Sequence, residues 1–457
     1  MTYSRTNYGR RRGGFVGGVI LILLGVLLLA HNFRPDIPAW EWIARWWPLL
    51  LILLGVGRMI ENIVARRTGQ QPGRLLTGGE VFLILLVLCA AGMVTFGHRN
   101  PGIVNIFDDE DVPWGEHVVE TQELPAQPVK PGAEIVIQAQ RGNITINGTD
   151  ENEIRVVARK SASAFDEDSA RESARAIDVK LVSTSRGFEV RPESRGSGSG
   201  RARTDLEIHI PKNTTVNVKT DSGDVHICDI NGSVDAVDGH GSIEICNAGG
   251  DVHAEMKHGD VRILTAKGNV RLTGNGSEVE VDDVTGDASV EGEFYGPIRA
   301  RNVARGFHFV SSHTDLSVGA LPGRLELDSG NLSMDDASGN IQLTTSDKTV
   351  VMENLTGRLR IDNKRGEVTV RLRQAPKEDL SIGEESGGIE LAMPANSNFE
   401  VDAVSRSGEI SNDFDDPDIK TTDDGHGNKM LRGKRGSKGP RIELRSTWGP
   451  IRLRKSD

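Results

Sequence analysis

From residue 223 onward, apolar and polar positions alternate in short bursts, and the bursts recur every nine residues. Gly223, Gly232, Gly241, Gly250, Gly259 and Gly268 each open a unit, which reads Gly-Asp-Val-His-Ile at 223, Gly-Ser-Ile-Glu-Ile at 241 and Gly-Asp-Val-Arg-Ile at 259. A period of two sends successive side chains to opposite faces, so each unit predicts one short strand and one turn. After a few irregular spacings the beat returns at Gly330, Gly339, Lys348, Gly357 and Gly366. A fixed period of this kind is the signature of a solenoid, in which each repeat buries its apolar face only against its neighbours.

Two kinds of unit alternate. Units opening at 223, 241, 259 and 277 end on an apolar residue, Ile230, Ala248, Ala266 and Val284, whereas the units between them place Gly239, Lys257 and Asn275 there. The true repeat is therefore eighteen residues: two strands, one partly buried corner and one polar corner. Cys228 and Cys246 stand eighteen apart. Rungs about 4.8 Å apart bring such residues within disulfide reach, so either a disulfide or two stacked small apolar side chains fits the spacing. His240 and His258 share the same separation and are expected to stack at one corner.

Glycines every nine residues exclude the hexapeptide left-handed helix, and no unit supplies the Gly-Gly-x-Gly-x-Asp turn that binds calcium. The Asp, Asn or Ser after most glycines, such as Asp224, Ser242, Asp251, Asp260, Asn269 and Asp287, reads as turn chemistry on nearby backbone N–H groups. Inward Val261 and Ile263 should not tolerate aspartate, whereas outward Arg262 should.

The first hundred residues differ in kind. Three apolar runs, at about 13–30, 46–63 and 78–97, each approach the ~20 residues that a helix needs to cross a bilayer. Trp40, Trp42, Trp46 and Trp47 crowd the link between the first two, as expected at a membrane surface. Arg5, Arg10, Arg11 and Arg12 before the first run, and Arg66, Arg67 and Arg74 after the second, place both segments in the cytoplasm and everything beyond the third run outside. No small-x-small site follows the first run, so an uncleaved anchor is expected in preference to a signal peptide.

The division that follows is a transmembrane region at 1–100, an acidic and proline-containing linker at 101–132, and an extracytoplasmic solenoid at 133–457. Within the solenoid, 133–220 is a capping region with a helix over Asp166–Ile177, 221–411 the regular coil, and 412–457 a loop followed by final strands. The fold class is all-β, a single-stranded parallel β-solenoid with two strands per rung, preceded by three transmembrane helices.

The Gly-Asp-Val-x-Ile units of 133–411 resemble the bacterial adhesin-like domain of unknown function found in LiaG-like proteins. The stretch GGFVGGVILILLGVLLL and the WWPLLLILLGV after it, with Gly17, Gly25 and Gly55, resemble the LiaI/LiaF transmembrane region. The resemblance implies a cell-envelope protein, tied to envelope-stress signalling through a membrane histidine kinase, and it carries no catalytic residues to transfer.

A net charge of −11 and the absence of a basic stripe argue against a nucleic-acid partner. Polysaccharide lyases and hydrolases on β-helices need carboxylates clustered on one outer face. Asp282, Asp283 and Asp287 are the nearest approach, at a turn where acidic residues are ordinary. No Ser/His/Asp set, phosphate loop or zinc spacing is present, so no catalytic, cofactor or metal residue is assigned and no cofactor is expected. The partners expected are the lipid bilayer, a membrane sensor kinase or a cell-wall polymer, and further copies of the chain. Two functions stand side by side: an envelope scaffold or adhesin, and the regulatory subunit of a stress sensor. A polysaccharide-acting enzyme ranks third.

Overall fold

The computed structural model describes residues 116–456, apart from 165, 195–201 and 426. The three apolar runs and the first part of the linker, 101–115, lie outside the described residues; among the described residues no helix is long and apolar enough to cross a membrane. The coil belongs to one compact unit, Val118–Ala162 with Arg171–Asp457.

Two sheets face one another across a single apolar core. One contains Val225–Ile230, Ile243–Ala248, Val261–Ala266, Val279–Val284 and Ile298–Val303; the other contains Thr215–Thr220, Val234–His240, Val252–His258, Val270–Gly276 and Ala288–Phe294. The chain passes from one sheet to the other at each corner, and neighbours within a sheet pair in parallel. Val225, Ile243, Val261 and Val279 are in direct register, as are Val216, Val234, Val252, Val270 and Ala288. Eighteen residues per rung follows from these pairings. Inward Val, Ile, Ala and Leu are all but inaccessible to solvent, and Ile230, Ala248, Ala266 and Val284 form the buried column at the broad corner.

At the polar corner the backbone of one rung lies directly on the next. Gly259 has φ +140°, and a Cβ there would come 1.6 Å from the carbonyl oxygen of Gly241, so only glycine fits. The broad corner solves the same problem differently, with Asp229, Asn247, Thr265, Asp283 and Asn302 in the left-handed region at φ 54–66°. Short polar side chains tolerate that conformation best, and the amides of Asn247 and Asn302 donate to Asp229 and Asp283 one rung away, at 2.9 and 2.6 Å.

Three features depart from a purely parallel, sequentially stacked coil. Thr314–Leu327 runs antiparallel to its neighbours in both sheets: to Phe307–Val310 and Ser338–Asp347 in one, and to Ile298–Val303 and Asn331–Asp335 in the other. The chain doubles back here through tight turns at 311–313 and 328–330, then resumes parallel winding. Both ends, second, are threaded. Glu134–Gln138 sits between Gly187–Ser194 and Thr215–Thr220, and Ile144–Thr149 between Ala202–Pro211 and Val225–Ile230. Likewise Arg441–Ser446 inserts between Leu380–Ser386 and Phe399–Ser405, and Ile451–Ser456 between Ile389–Pro394 and Ile410–Asn412. Antiparallel strands then cover these outer rungs: Ile177–Ser183 and Glu153–Ala164 at one end, Lys429–Arg435 and Lys420–Asp423 at the other.

Third, residues expected to be linker or loop form strands. Glu116–Pro128 pairs with Glu153–Ala164, and the Gln122 side chain bonds the backbone of Val179 in both directions. Sheet edges are unpaired donors and acceptors that seek a partner, and the proline-containing segment supplies one. The stretch 412–438 contributes the two covering strands at the far end. The helix α1 covers Glu167–Arg175, shorter than the expected Asp166–Ile177, with Asp166 capping it by accepting from the Ser169 N–H at 2.8 Å.

Candidate functional site

The outward positions of the strands carry the chemistry. On Val225–Ile230 and Ile243–Ala248, parity points His226, Cys228, Glu244 and Cys246 away from the core. Register places Cys228 opposite Cys246 and His226 opposite Glu244. Cys228 and Cys246 are joined as a disulfide between adjacent rungs, with Cα atoms 4.7 Å apart. His226 Nε2 lies 3.1 Å from Cys228 Sγ, and its Nδ1 is 3.6 Å from a Glu244 carboxylate oxygen. Four side chains thus form one constellation on an outer face. The spacing of the cysteines placed them one above the other on adjacent rungs and left the bond open, and the structure joins them. His226 was not singled out, although its signal was present: His-x-Cys on a strand shares one face, and the second cysteine follows eighteen residues later.

His240 and His258 stack as expected, with ring centroids 4.9 Å apart and planes within 7°. His240 Nδ1 faces the Asp221 carbonyl at 3.3 Å, and among the described residues no third metal-ligating side chain joins the pair. The three carboxylates tested for hydrolase chemistry each hold a different part of the coil. Asp282 pairs with Arg301 at 2.5 Å. Its burial pushes the carboxyl above the ordinary range, with Arg301 opposing. Asp283 accepts from Asn302, and Asp287 accepts the backbone N–H of Gly306 at 2.8 Å. The carboxylates do not converge on a common point.

The residues after the turn glycines do bond backbone N–H groups, but one rung away and not locally. Asp224 accepts from the Ser242 N–H at 2.9 Å, Asp251 from Asn269 at 2.7 Å, and Asp260 from Glu278 at 3.0 Å. Charge ladders continue the pattern on the outer face, for example Arg262 with Glu280 at 2.7 Å.

A buried polar column escaped sequence reading altogether. Thr345, Asn363, Glu384, Ser446 and Ser405 are stacked in register at the end of one sheet and nearly inaccessible. All but Thr345, which meets the Thr314 hydroxyl at 2.9 Å, bond the backbone of the polar corner: Asn363 donates to the Arg365 carbonyl at 3.0 Å, Glu384 accepts from the Ser386 N–H at 3.1 Å, and Ser446 and Ser405 donate to the Gly449 carbonyl at 3.0 and 2.9 Å. Asp238 plays the same part earlier, accepting from the His240 N–H at 3.1 Å. Burial raises both carboxyls, Asp238 to about 6 and Glu384 to about 7, the backbone bonds opposing the rise. A surface depression lined by Gly132, Glu134, Arg186 and Thr215 lies open to solvent.

The Toastrack DUF4097 family matches residues 133–454, and the LiaF transmembrane domain matches 16–104, past the first sixty-odd residues on which the resemblance rested. No curated protein matches the chain. Similar solved structures include a candidate cell-adhesion protein from Clostridium sporogenes, 10% identical with a TM-score of 0.16, covering 74% of this chain and 100% of that one. A candidate adhesin from Bacteroides fragilis is 12% identical with a TM-score of 0.20, covering 74% and 97%. A candidate lipid-binding protein from Parabacteroides distasonis is 10% identical with a TM-score of 0.18, again covering 74% and 97%. Superpositions this loose bear no functional argument.

Proposed function

From the premise that this chain belongs to the Toastrack DUF4097 family and joins that domain to a LiaF transmembrane domain, we propose a membrane-anchored, non-enzymatic protein of the cell envelope. Its solenoid is displayed for binding or scaffolding. The observation that carries this reading is the joining of a membrane domain to a coil in which Asp282, Asp283 and Asp287 serve inter-rung contacts. Three spans, with the N-terminus in the cytoplasm, place the coil outside, consistent with the arginine distribution. Protease added to intact spheroplasts should then trim the solenoid while sparing the N-terminal arginines; protection of the solenoid would reverse the topology.

The LiaF match favours one second reading, a regulatory subunit whose helices contact a membrane sensor kinase. Gly17, Gly25 and Gly55 suit close helix packing. Crosslinking in native membranes followed by mass spectrometry separates the two. Recovery of a kinase through residues 1–100 supports the regulator, whereas recovery of cell-wall polymer or further copies of the chain through the solenoid supports the scaffold.

A further inference from the structure

The disulfide on the outer face is more than a rivet. In the same column the next rungs place Leu264 and Asp282, and they pair in unbroken register without a covalent link. Rung stacking therefore does not depend on the bond. What distinguishes the two cysteine rungs is the imidazole beside them: one ring nitrogen of His226 is aimed at sulfur, and the other faces a carboxylate. Metal-ligating histidines are held in this way, the outer carboxylate fixing the tautomer and the ring orientation.

We propose that, with the disulfide reduced, Cys228, Cys246 and His226 form a zinc site on the outer face of the coil, with Glu244 as the residue that orients the imidazole. The candidate ligand atoms already lie within 4.8 Å of one another. A tetrahedral ion with Zn–S of about 2.3 Å and Zn–N of about 2.0 Å needs ligand atoms roughly 3.3–3.8 Å apart. Breaking the S–S bond lets the sulfurs part by that amount through side-chain rotation, while strand register stays fixed. Two thiolates and a neutral imidazole balance a divalent ion and suit a borderline metal, leaving the fourth position to water.

The chemistry closes with a dithiol as reductant. Two successive thiol–disulfide exchanges transfer two electrons to the S–S bond, release Cys228 and Cys246 as thiols on uptake of two protons, and leave the reductant as a disulfide. Zinc binding then displaces both thiol protons. The reverse exchange, with a small-molecule disulfide as the oxidant that accepts two electrons and leaves as a dithiol, re-forms the S–S bond and releases the metal, so disulfide and zinc are mutually exclusive states of the site.

The test uses the full-length protein in detergent, wild type and in a Cys89→Ser background that removes the remaining cysteine, with Co2+ as the probe. After reduction and removal of reductant under anaerobic conditions, one Co2+ per chain should bind, giving thiolate charge-transfer absorption and tetrahedral d–d bands; Zn2+ should bleach both. The oxidised protein should bind none at the site. Cys228→Ser or Cys246→Ser should remove most of the charge-transfer intensity, and His226→Ala should weaken Zn2+ binding by at least tenfold. Glu244→Gln should weaken it about 10–100-fold. Circular dichroism confirms that each variant is folded. The proposal is overturned if the reduced, folded protein takes up no Co2+, if uptake is unaffected by His226→Ala and the cysteine variants, if the oxidised protein binds equally well, or if the bond yields to reductant only when the coil unfolds.

Discussion

Single positions show how narrowly this coil is specified. Among the broad-corner residues in the left-handed region, Thr265 is the exception: Asn or Asp occupies 229, 247, 283, 302, 336 and 354. A β-branched residue there costs about 1 kcal/mol. Thr265→Asn should therefore raise the urea midpoint by an amount corresponding to roughly 1 kcal/mol, and a lowered midpoint would contradict the strain. At Glu384 the folded carboxyl holds its proton to about pH 7, against an ordinary value of 4.5. Between those limits the folded state binds more protons than the unfolded chain, so stability falls as pH rises from about 4.5 through 7 and then levels. Glu384→Gln should flatten that slope and stabilise the protein at pH 8 by on the order of 1–3 kcal/mol. Denaturant midpoints at pH 5 and pH 8 decide it, and an unchanged slope would refute the assignment. Neither position stood out in the sequence. Backbone handedness at Thr265 and burial of Glu384 arise only when rungs are stacked.

At the scale of strands, alternation was enough to assign inside and outside. Val261 and Ile263 are buried and Arg262 faces Glu280 across the surface. Val261→Asp should lower the melting temperature sharply, a loss of about 3 kcal/mol or more, whereas Arg262→Asp should cost no more than about 1 kcal/mol; equal shifts would contradict the inward assignment. Direction was not legible. A period of two is the same in parallel and antiparallel pairs, so nothing in Thr314–Leu327 announced its reversal except the break in the nine-residue beat. Nor did prolines at 125 and 128 exclude pairing, because Glu116–Pro128 lies at an edge, where a missing N–H goes unneeded. The stacking of Cys228 on Cys246 was legible from spacing alone, but the bond between them was not, because two unbonded small side chains fit the same spacing. Their histidine needed two observations to be combined, strand parity and rung register.

For the whole molecule, the threaded ends alter how a repeat protein should fail. Solenoids fray from their terminal repeats, but here the rung formed by 441–456 is overlaid by residues 399–412. Deleting 441–457 from the full chain opens a gap beneath an outer rung. Hydrogen exchange should then accelerate at least tenfold across 399–435, while 223–310 keeps its protection. Loss confined to the deleted strands' immediate contacts at 380–394 would argue against the threading. The same arrangement gives the two ends different histories during synthesis. At the N-terminal end the inner strands, 134–149, are made before the outer ones, 187–211, and the stack can grow in the order in which residues appear. At the other end the inner rung is translated after the outer one. Residues 399–412 must therefore wait undocked, or let go again, until 441–456 arrive, which makes closure of that end the natural late step in maturation of the coil and the moment when its apolar interior is most open to chaperones or to a neighbouring chain.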